Sequence, residues 1–207
     1  MIEQLILIRH GETVLNAAGI AQGWNDSALS ETGQRQVNAL AQRLKTHGVT
    51  KLYSSPLGRA MATAQAIADA LALPIATLDD LREMGYGEWE GMRFLDVREK
   101  YAEHYARWVD DPDYACPGGE SHRDLLNRME RGFAQIGVEA GAANTARQRV
   151  VVVTHGTAIR VGATSLLGAP LSTARHLAQD NASFNLFFRR GDRFVLKVWN
   201  DTTHCER

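Results

Sequence analysis

Two short runs of aliphatic residues stand out along the chain, at residues 5–8 and 150–153. Each run is apolar at every position rather than at alternate positions. This pattern favours strands that are buried on both faces, as in a parallel sheet covered by helices. Arg9 and His10 directly follow the first run, and His155 follows the second after one threonine. The pattern therefore predicts two buried strands that end in charged or titratable side chains.

The apolar positions elsewhere follow helical and strand periods. Ser30 is a suitable N-cap, and apolar residues then recur at helical spacing as far as Leu44. Further helices are predicted over residues 59–71, 125–136 and 157–167, and short strands over 51–54 and 75–78. The tail, SFNLFFRRGDRFVLKVW, predicts two strands joined by a turn at Gly191 and Asp192. Strands that alternate with helices predict an α/β fold with a mostly parallel central sheet.

Residues 86–124 interrupt this alternation. The segment holds seven of the fifteen aromatic residues and contains DDPDYACPGGES, a run rich in turn-forming residues. A chain of 207 residues suits one domain with a sizeable core. We therefore expect a single domain over residues 1–207, in which 86–124 is an insertion that covers the active site.

Composition narrows the class of protein. Charged residues make up 23% of the chain and the formal net charge is -1, without a basic tail, so nucleic acid is not an expected partner. The two cysteines, Cys116 and Cys205, lack zinc-ligand spacing and fit a reducing compartment. The first apolar run is short and leads into Arg9, which predicts neither a signal peptide nor a membrane span. We expect a cytoplasmic protein, and a homodimer is left open.

The ends of the predicted strands bring candidate chemistry together. In open α/β sheets, ligands bind beyond the carboxyl ends of the strands. His10, His155 and Arg9 lie at such ends, and Arg59 follows the strand at 51–54 by a few residues, where a helix begins. Guanidinium groups and helix N-termini both favour anions. The combination predicts a site for phosphate or a phosphate ester.

Five motifs, in order along nearly the whole chain, carry a family resemblance. They are RHGET followed by Asn16, SSPLGRAMATA with Arg59, LREMGYGEWEG with Glu83, PGGES, and VVVVTHG with His155. The set resembles the histidine phosphatase superfamily, which includes the cofactor-dependent phosphoglycerate mutases and their phosphatase relatives. The resemblance implies a three-layer α/β/α sandwich.

The resemblance also implies a role for each matching residue. His10 would be the nucleophile that becomes phosphohistidine, and Glu83 would donate a proton to the leaving oxygen. Arg9, Arg59 and His155 would hold the phosphoryl group during catalysis. The substrate would also be bound by Asn16, Gln22, Gly23 and Gly156. Elementary chemistry agrees, because an uncharged imidazole can attack phosphorus and nearby cations disfavour the imidazolium form.

The choice of Glu83 depends on the motif match. Glu12, Glu88 and Glu90 lie nearby in sequence, and spacing alone does not choose among the four. We expect Glu12 to order the loop that carries His10. The seven histidines show no metal-binding spacing, so neither a metal nor a cofactor is predicted.

Charge separates two reactions that this site could perform, hydrolysis and mutase chemistry. Residues 86–124 contain ten acidic and five basic residues, a net charge of -5. A mutase must hold a bisphosphate, which a basic cover would favour, and the Arg189–Arg190 pair lies near the C-terminus instead. We therefore expect a metal-independent phosphatase acting on small phosphate monoesters. The alternatives are a phosphoglycerate mutase, or a dedicated α-ribazole or phosphoserine phosphatase.

The organic part of the substrate is less constrained by the sequence. Among the aromatic residues of 86–124, most are expected to pack within the segment, and one or two to line the pocket and favour a partly apolar alcohol. These aromatic candidates are Tyr101, Tyr105, Trp108 and Tyr114. Residues 180–184 and His204 are also expected near the pocket.

Overall fold

A six-stranded sheet forms the centre of the computed structural model, which describes residues 1–142 and 147–206. Its strands are β1 (Ile2–Arg9), β2 (Lys51–Ser54), β3 (Ile75–Thr77), β4 (Gln148–Thr154), β5 (Phe184–Arg190) and β6 (Arg193–Asp201). The spatial order is β3-β2-β4-β1-β5-β6. Strands β1 to β4 are parallel to one another. Strand β5 is antiparallel to β1, and β6 is antiparallel to β5. The mostly parallel sheet predicted from the sequence is confirmed.

Helices cover both faces of the sheet. They are α1 (Val14–Ala17), α2 (Glu31–Leu44), α3 (Gly58–Leu71), α4 (Phe94–Lys100), α5 (Ala102–Asp110), α6 (His122–Ala142) and α7 (Gly156–Leu167). Neighbouring residues of β1 enter different cores: Leu5 and Leu7 pack with residues of α6 and α7, whereas Ile6 and Ile8 pack with α2 and α3. This alternation explains why the strands are apolar at every position, and the predicted three-layer sandwich is confirmed.

Local sequence explains where the helices begin. The Ser30 hydroxyl accepts a hydrogen bond from the Gly33 N–H at 3.0 Å, which caps the N-terminus of α2 as predicted. Helix α6 is longer than predicted, because it continues on both sides of the apolar stretch at 125–136. Helices α4 and α5 were missed, since their segment was interpreted from its composition rather than from its period. Among the described residues, no helix combines the length and apolar character needed to cross a bilayer.

Candidate active site

The two histidines meet because their strands are neighbours. Strands β1 and β4 pair in parallel, with Arg9 opposite Thr154 at their carboxyl ends. The backbone N–H of His10 donates to the Thr154 carbonyl at 3.0 Å. The rings of His10 and His155 consequently lie 5.2 Å apart, centroid to centroid. Both rings are buried, with 3% and 0% of each residue exposed.

The surroundings of His10 select one form of its imidazole. Its Nδ1 lies 2.8 Å from the Gly11 carbonyl oxygen, which can only accept, so Nδ1 carries the proton. The Nε–H of Arg59 donates to Nε2 of His10 at 3.3 Å. Burial, followed by the charges of Arg9 and Arg59, holds the pKa of His10 well below its ordinary value. His10 is therefore neutral at physiological pH and has its lone pair on Nε2.

Arg59 is buried at the beginning of α3 and is held by the loop that follows α1. Its Nη2 donates to the Gly23 carbonyl at 2.7 Å and its Nη1 to the Asn25 carbonyl at 2.8 Å. The carboxylate of Asp26 accepts from the backbone N–H groups of Gly58 and Arg59, and forms an ion pair with the Arg59 guanidinium at 3.3 Å. Asp26 thus caps α3 and orients the arginine in one arrangement.

Gly23 has a conformational reason to be glycine. Its φ is +54°, in the left-handed region, and a Cβ there would overlap the carboxylate of Glu90. That carboxylate accepts hydrogen bonds from the backbone N–H groups of Trp24 and Tyr86 at 3.0 and 3.1 Å. Glu90 therefore joins the loop holding Arg59 to the start of segment 86–124.

Arg9 lies against the first turn of α7. A Cβ at Gly156 would be 3.3 Å from Nε of Arg9, so the glycine leaves room for the guanidinium. Nη1 of Arg9 donates to the carbonyl of Gln179. Residues 180–184 also contact the site as expected, since the Asn181 amide donates to the His10 carbonyl and to Oδ1 of Asn16, each at 3.1 Å.

His155 is oriented by a serine that the sequence reasoning did not single out. Its Nε2 lies 2.8 Å from Oγ of Ser55, which is fully buried at the end of β2. Within the described residues, Nδ1 of His155 has no hydrogen-bond partner. Burial, then the charges of Arg59 and His10, lower the pKa of His155 well below its ordinary value, so this ring is also neutral.

Glu83 is the glutamate that the fold brings to the histidines. Its carboxylate accepts from the backbone N–H groups of Met84 at 2.8 Å and of Thr157 and Ala158 at 3.1 Å each, in the first turn of α7. The competing glutamates lie elsewhere. Glu12 accepts from the Ser30 hydroxyl at 2.6 Å, in the loop after His10, while Glu88 is exposed and Glu90 joins the two loops described above.

A catalytic cavity of about 270 Å³ opens beside these groups. Eight of the nine residues predicted for the site line it: Arg9, His10, Asn16, Gln22, Gly23, Arg59, Glu83 and Gly156. His155 is not part of this lining, and it contacts the ring of His10 from inside the protein. The expectation for His204 is wrong, since it packs against Arg43 of α2 and lines a different cavity.

Sequence reasoning missed several other residues of the cavity wall, which include Ile20, Phe94, Thr157, Arg160 and Gln179. A signal for two of them was present, because Thr157 and Arg160 lie within one helical turn of Gly156. Within the described part of the chain, no three His, Cys, Asp or Glu side chains are grouped in a way that could hold a metal ion.

Comparison with known proteins decides the family. Residues 5–202 match the model of the histidine phosphatase superfamily, branch 1. The chain belongs to this superfamily. Phosphoserine phosphatase 1 of Hydrogenobacter thermophilus, another member by similarity, is 38% identical over 97% of this chain and 93% of its own length. The family predicted from the ordered motifs is confirmed.

Other histidine phosphatase relatives cover the chain almost fully. A metal-independent phosphoserine phosphatase of Arabidopsis thaliana is 36% identical over 98% of this chain and 83% of its own. A probable phosphoglycerate mutase of Yersinia pestis is 33% identical over 98% and 95%. The solved structure of a mycobacterial glucosyl-3-phosphoglycerate phosphatase superposes with a TM-score of 0.87, at 30% identity over 96% and 99%. The predicted enzyme class, a phosphoric monoester hydrolase, is confirmed.

Proposed function

We propose that the protein hydrolyses small phosphate monoesters through a phosphohistidine on His10, without a metal ion. The lone pair on Nε2 of His10 attacks phosphorus in line with the leaving oxygen. The N–P bond forms while the P–O bond to the alcohol breaks. The alcohol oxygen takes the proton of the Glu83 carboxyl, a form that a neighbouring phosphate dianion favours.

The second step returns the enzyme to its starting form. Water attacks the phosphohistidine, the N–P bond breaks, and the proton of the water passes to the Glu83 carboxylate. Three backbone N–H donors hold the Glu83 carboxyl group in place for both proton transfers. Phosphate then leaves, and Glu83 is again protonated for the next cycle.

One observation carries this proposal: His10 is neutral, with Nδ1 fixed on the Gly11 carbonyl and Nε2 facing the guanidinium of Arg59. A nucleophile needs an uncharged lone pair that can reach phosphorus, and cations around the group that it attacks. The 3.3 Å hydrogen bond from Arg59 to Nε2 of His10 is long, and a bound phosphoryl group would take its place. Arg9 and Arg59 supply those cations within the same cavity. They take the part that a divalent cation plays in metal-dependent phosphoryl transfer.

His155 would add a neutral hydrogen-bond donor. Oγ of Ser55 accepts from the backbone N–H of Leu57 at 3.3 Å, which leaves its own proton for Nε2 of His155. We propose the tautomer in which Ser55 donates to Nε2 and the histidine proton lies on Nδ1. We propose that Nδ1–H donates to a phosphoryl oxygen beside His10.

Hydrolysis is preferred to mutase chemistry, although the structure corrects one reason for the preference. None of the ten acidic side chains of segment 86–124 lines the catalytic cavity. Several of them pair with nearby arginines instead, as Asp96 does with Arg93 and Glu120 with Arg128. The net charge of the segment therefore does not describe the field at the site. The preference depends on the phosphatase relatives, and the mutase remains the second candidate because one close relative is a probable mutase.

Phosphate release from p-nitrophenyl phosphate in excess EDTA tests the proposed mechanism. We expect steady turnover without added metal and a loss of at least about 10³-fold in kcat for His10→Ala. Activity restored only by Mg²⁺ would contradict the mechanism. Conversion of 3-phosphoglycerate to 2-phosphoglycerate, primed with the bisphosphate, faster than its hydrolysis would favour the mutase.

We also propose a cytoplasmic location. Both cysteines are free thiols, as a reducing compartment requires, and Cys116 is buried among apolar residues. Cell fractionation with a compartment marker tests this. The homodimer stays a prediction that sedimentation velocity can check.

A further inference from the structure

A second cavity of about 300 Å³ adjoins the catalytic cavity, and we call it the side cavity. Four residues line both cavities: Tyr86, Phe94, Thr157 and Arg160. The side cavity is completed by Tyr105, Trp108, Val109, His122, Val161, Ala174 and Arg175. A substrate whose phosphoryl group lies beside His10 can therefore extend its alcohol part past these shared residues.

One wall of the side cavity is aromatic. Trp108 packs edge to face against Tyr86 at 6.2 Å, and the ring of His122 lies 4.7 Å from Trp108. Burial lowers the pKa of His122 to about 4, so this ring adds no charge at neutral pH. Nε1 of Trp108 is buried and has no hydrogen-bond partner within the described residues. The wall thus offers uncharged aromatic surface to the side cavity.

Arg160 lies where the two cavities join. Its Nη2 donates to the Thr157 hydroxyl at 2.9 Å. Within the described residues, no Asp or Glu forms an ion pair with it, whereas Arg175 pairs with Asp110 at 3.3 Å. The charge of Arg160 contributes to lowering the pKa of Arg9, so its field reaches the phosphoryl site.

No described carboxylate in the lining of the side cavity would repel an anionic substrate. Glu83 is the one acidic residue in the lining of the catalytic cavity, and the described lining of the side cavity contains none. Arg160 follows Gly156 by one turn of α7, a rise of about 5–6 Å. A short carbon chain between a phosphate ester and a second anionic group can span that separation.

We infer that Arg160 is a specificity-determining residue that binds a carboxylate on the alcohol part of the substrate. The inference rests on the proposed function and names its substrate class, the phosphate monoesters of carboxylic acids. A guanidinium forms two parallel hydrogen bonds to a carboxylate, which a neutral hydroxymethyl group cannot match. Any further part of the substrate lies in the side cavity against Trp108 and Tyr105.

A matched pair of substrates tests this assignment. 3-Phosphoglycerate and glycerol 3-phosphate differ in having a carboxylate or a hydroxymethyl group at the same position. We expect the wild type to prefer 3-phosphoglycerate in kcat/KM for phosphate release, and Arg160→Gln to reduce that preference by about 10- to 100-fold. Arg160→Lys should retain an intermediate preference, because it keeps the charge but not the paired donors. The change should appear mainly as a higher KM for 3-phosphoglycerate.

Arg190→Gln is the control, since this arginine is exposed at the end of β5 and lines neither cavity. Its selectivity should equal that of the wild type, and thermal melts should show that all variants are folded. Suppose that the wild type hydrolyses p-nitrophenyl phosphate. A ratio of kcat/KM for 3-phosphoglycerate to that for glycerol 3-phosphate near one, or a ratio unchanged in Arg160→Gln, then overturns the inference. If the wild type hydrolyses no ester, p-nitrophenyl phosphate included, the proposed function fails instead.

Discussion

Arg128 of α6 offers the sharpest test of how the Glu83 loop is held. Its guanidinium forms a paired contact with the Glu120 carboxylate at 2.8 and 2.7 Å. It also donates to the carbonyls of Asp80, Arg82 and Glu83 at 3.1, 2.6 and 2.7 Å. Arg128→Met removes all five hydrogen bonds and leaves a methionine of similar length in a site where the arginine is 7% exposed.

The loss of stability follows from what the substitution leaves behind. Breaking a buried ion pair by removing one partner costs about 3–5 kcal/mol, because the other charge stays buried and uncompensated. The Glu120 side chain is 18% exposed and keeps the Gly85 N–H as a donor at 2.8 Å, which favours the lower half of that range. We expect a loss of about 3 kcal/mol, equivalent to about 6–12 °C in Tm for a chain of this size.

Urea denaturation at pH 7 measures this loss, with Arg131→Met as the matched control. Arg131 lies on the same helix and pairs with Asp80 at 2.9 Å, but its side chain is 63% exposed. Its removal should cost less than about 1 kcal/mol. Adding Glu120→Gln to Arg128→Met should restore part of the loss by removing the unpaired charge. Equal losses for the two arginine variants would refute this reasoning.

Three further predictions concern the site and its pH dependence. Gly156→Ala should lower kcat/KM by about 3- to 10-fold, because its Cβ would lie 3.3 Å from Nε of Arg9 and shift the guanidinium by a few tenths of an ångström, while urea denaturation shows little loss of stability; unchanged kinetics would contradict it. Asp26→Asn should lower stability by about 1 kcal/mol and raise KM for phosphate esters, since Asp26 caps α3 and orients Arg59; a variant with wild-type KM would count against that role. The pKa of His122 falls from 6.5 in the unfolded chain to about 4 in the folded protein. As the pH falls from 6.5 towards 4, the unfolded chain therefore binds a proton that the folded protein does not. The free energy of unfolding should decrease over this range by up to about 1.4 kcal/mol per pH unit. Denaturation curves at several pH values should be less steep in pH for His122→Gln, and identical slopes would exclude this contribution.

Strand patterns and motif order predicted the centre of this protein well. The continuous aliphatic runs identified β1 and β4, and their pairing brings His10 and His155 together. Arg59 could be placed because it follows the short strand β2 by a few residues, at the beginning of a helix. These predictions succeeded because a buried parallel strand has a strong local sequence pattern. The polar residues that follow such strands lie together at the carboxyl edge of the sheet.

Features that depend on long-range packing could not be predicted in the same way. Ser55 orients His155 across 100 positions of sequence, and Arg128 holds the backbone of Glu83 across 45. The net charge of segment 86–124 was a poor guide, because a charge acts through its position and several carboxylates of the segment pair with arginines outside the catalytic cavity. Arg160 lies one helical turn from Gly156, but that spacing does not show that it stands between two cavities, which is a property of the fold.

Trapping of the covalent intermediate tests the central mechanism most directly. Enzyme mixed rapidly with excess p-nitrophenyl phosphate and quenched in base, where phosphohistidine survives, can be digested and mapped by mass spectrometry, with ³¹P NMR to assign the ring nitrogen. The mechanism predicts one phosphate on Nε2 of His10, formed no more slowly than turnover, and none in His10→Ala. Phosphate on another residue, or full turnover with an intermediate that never forms on His10, would contradict it.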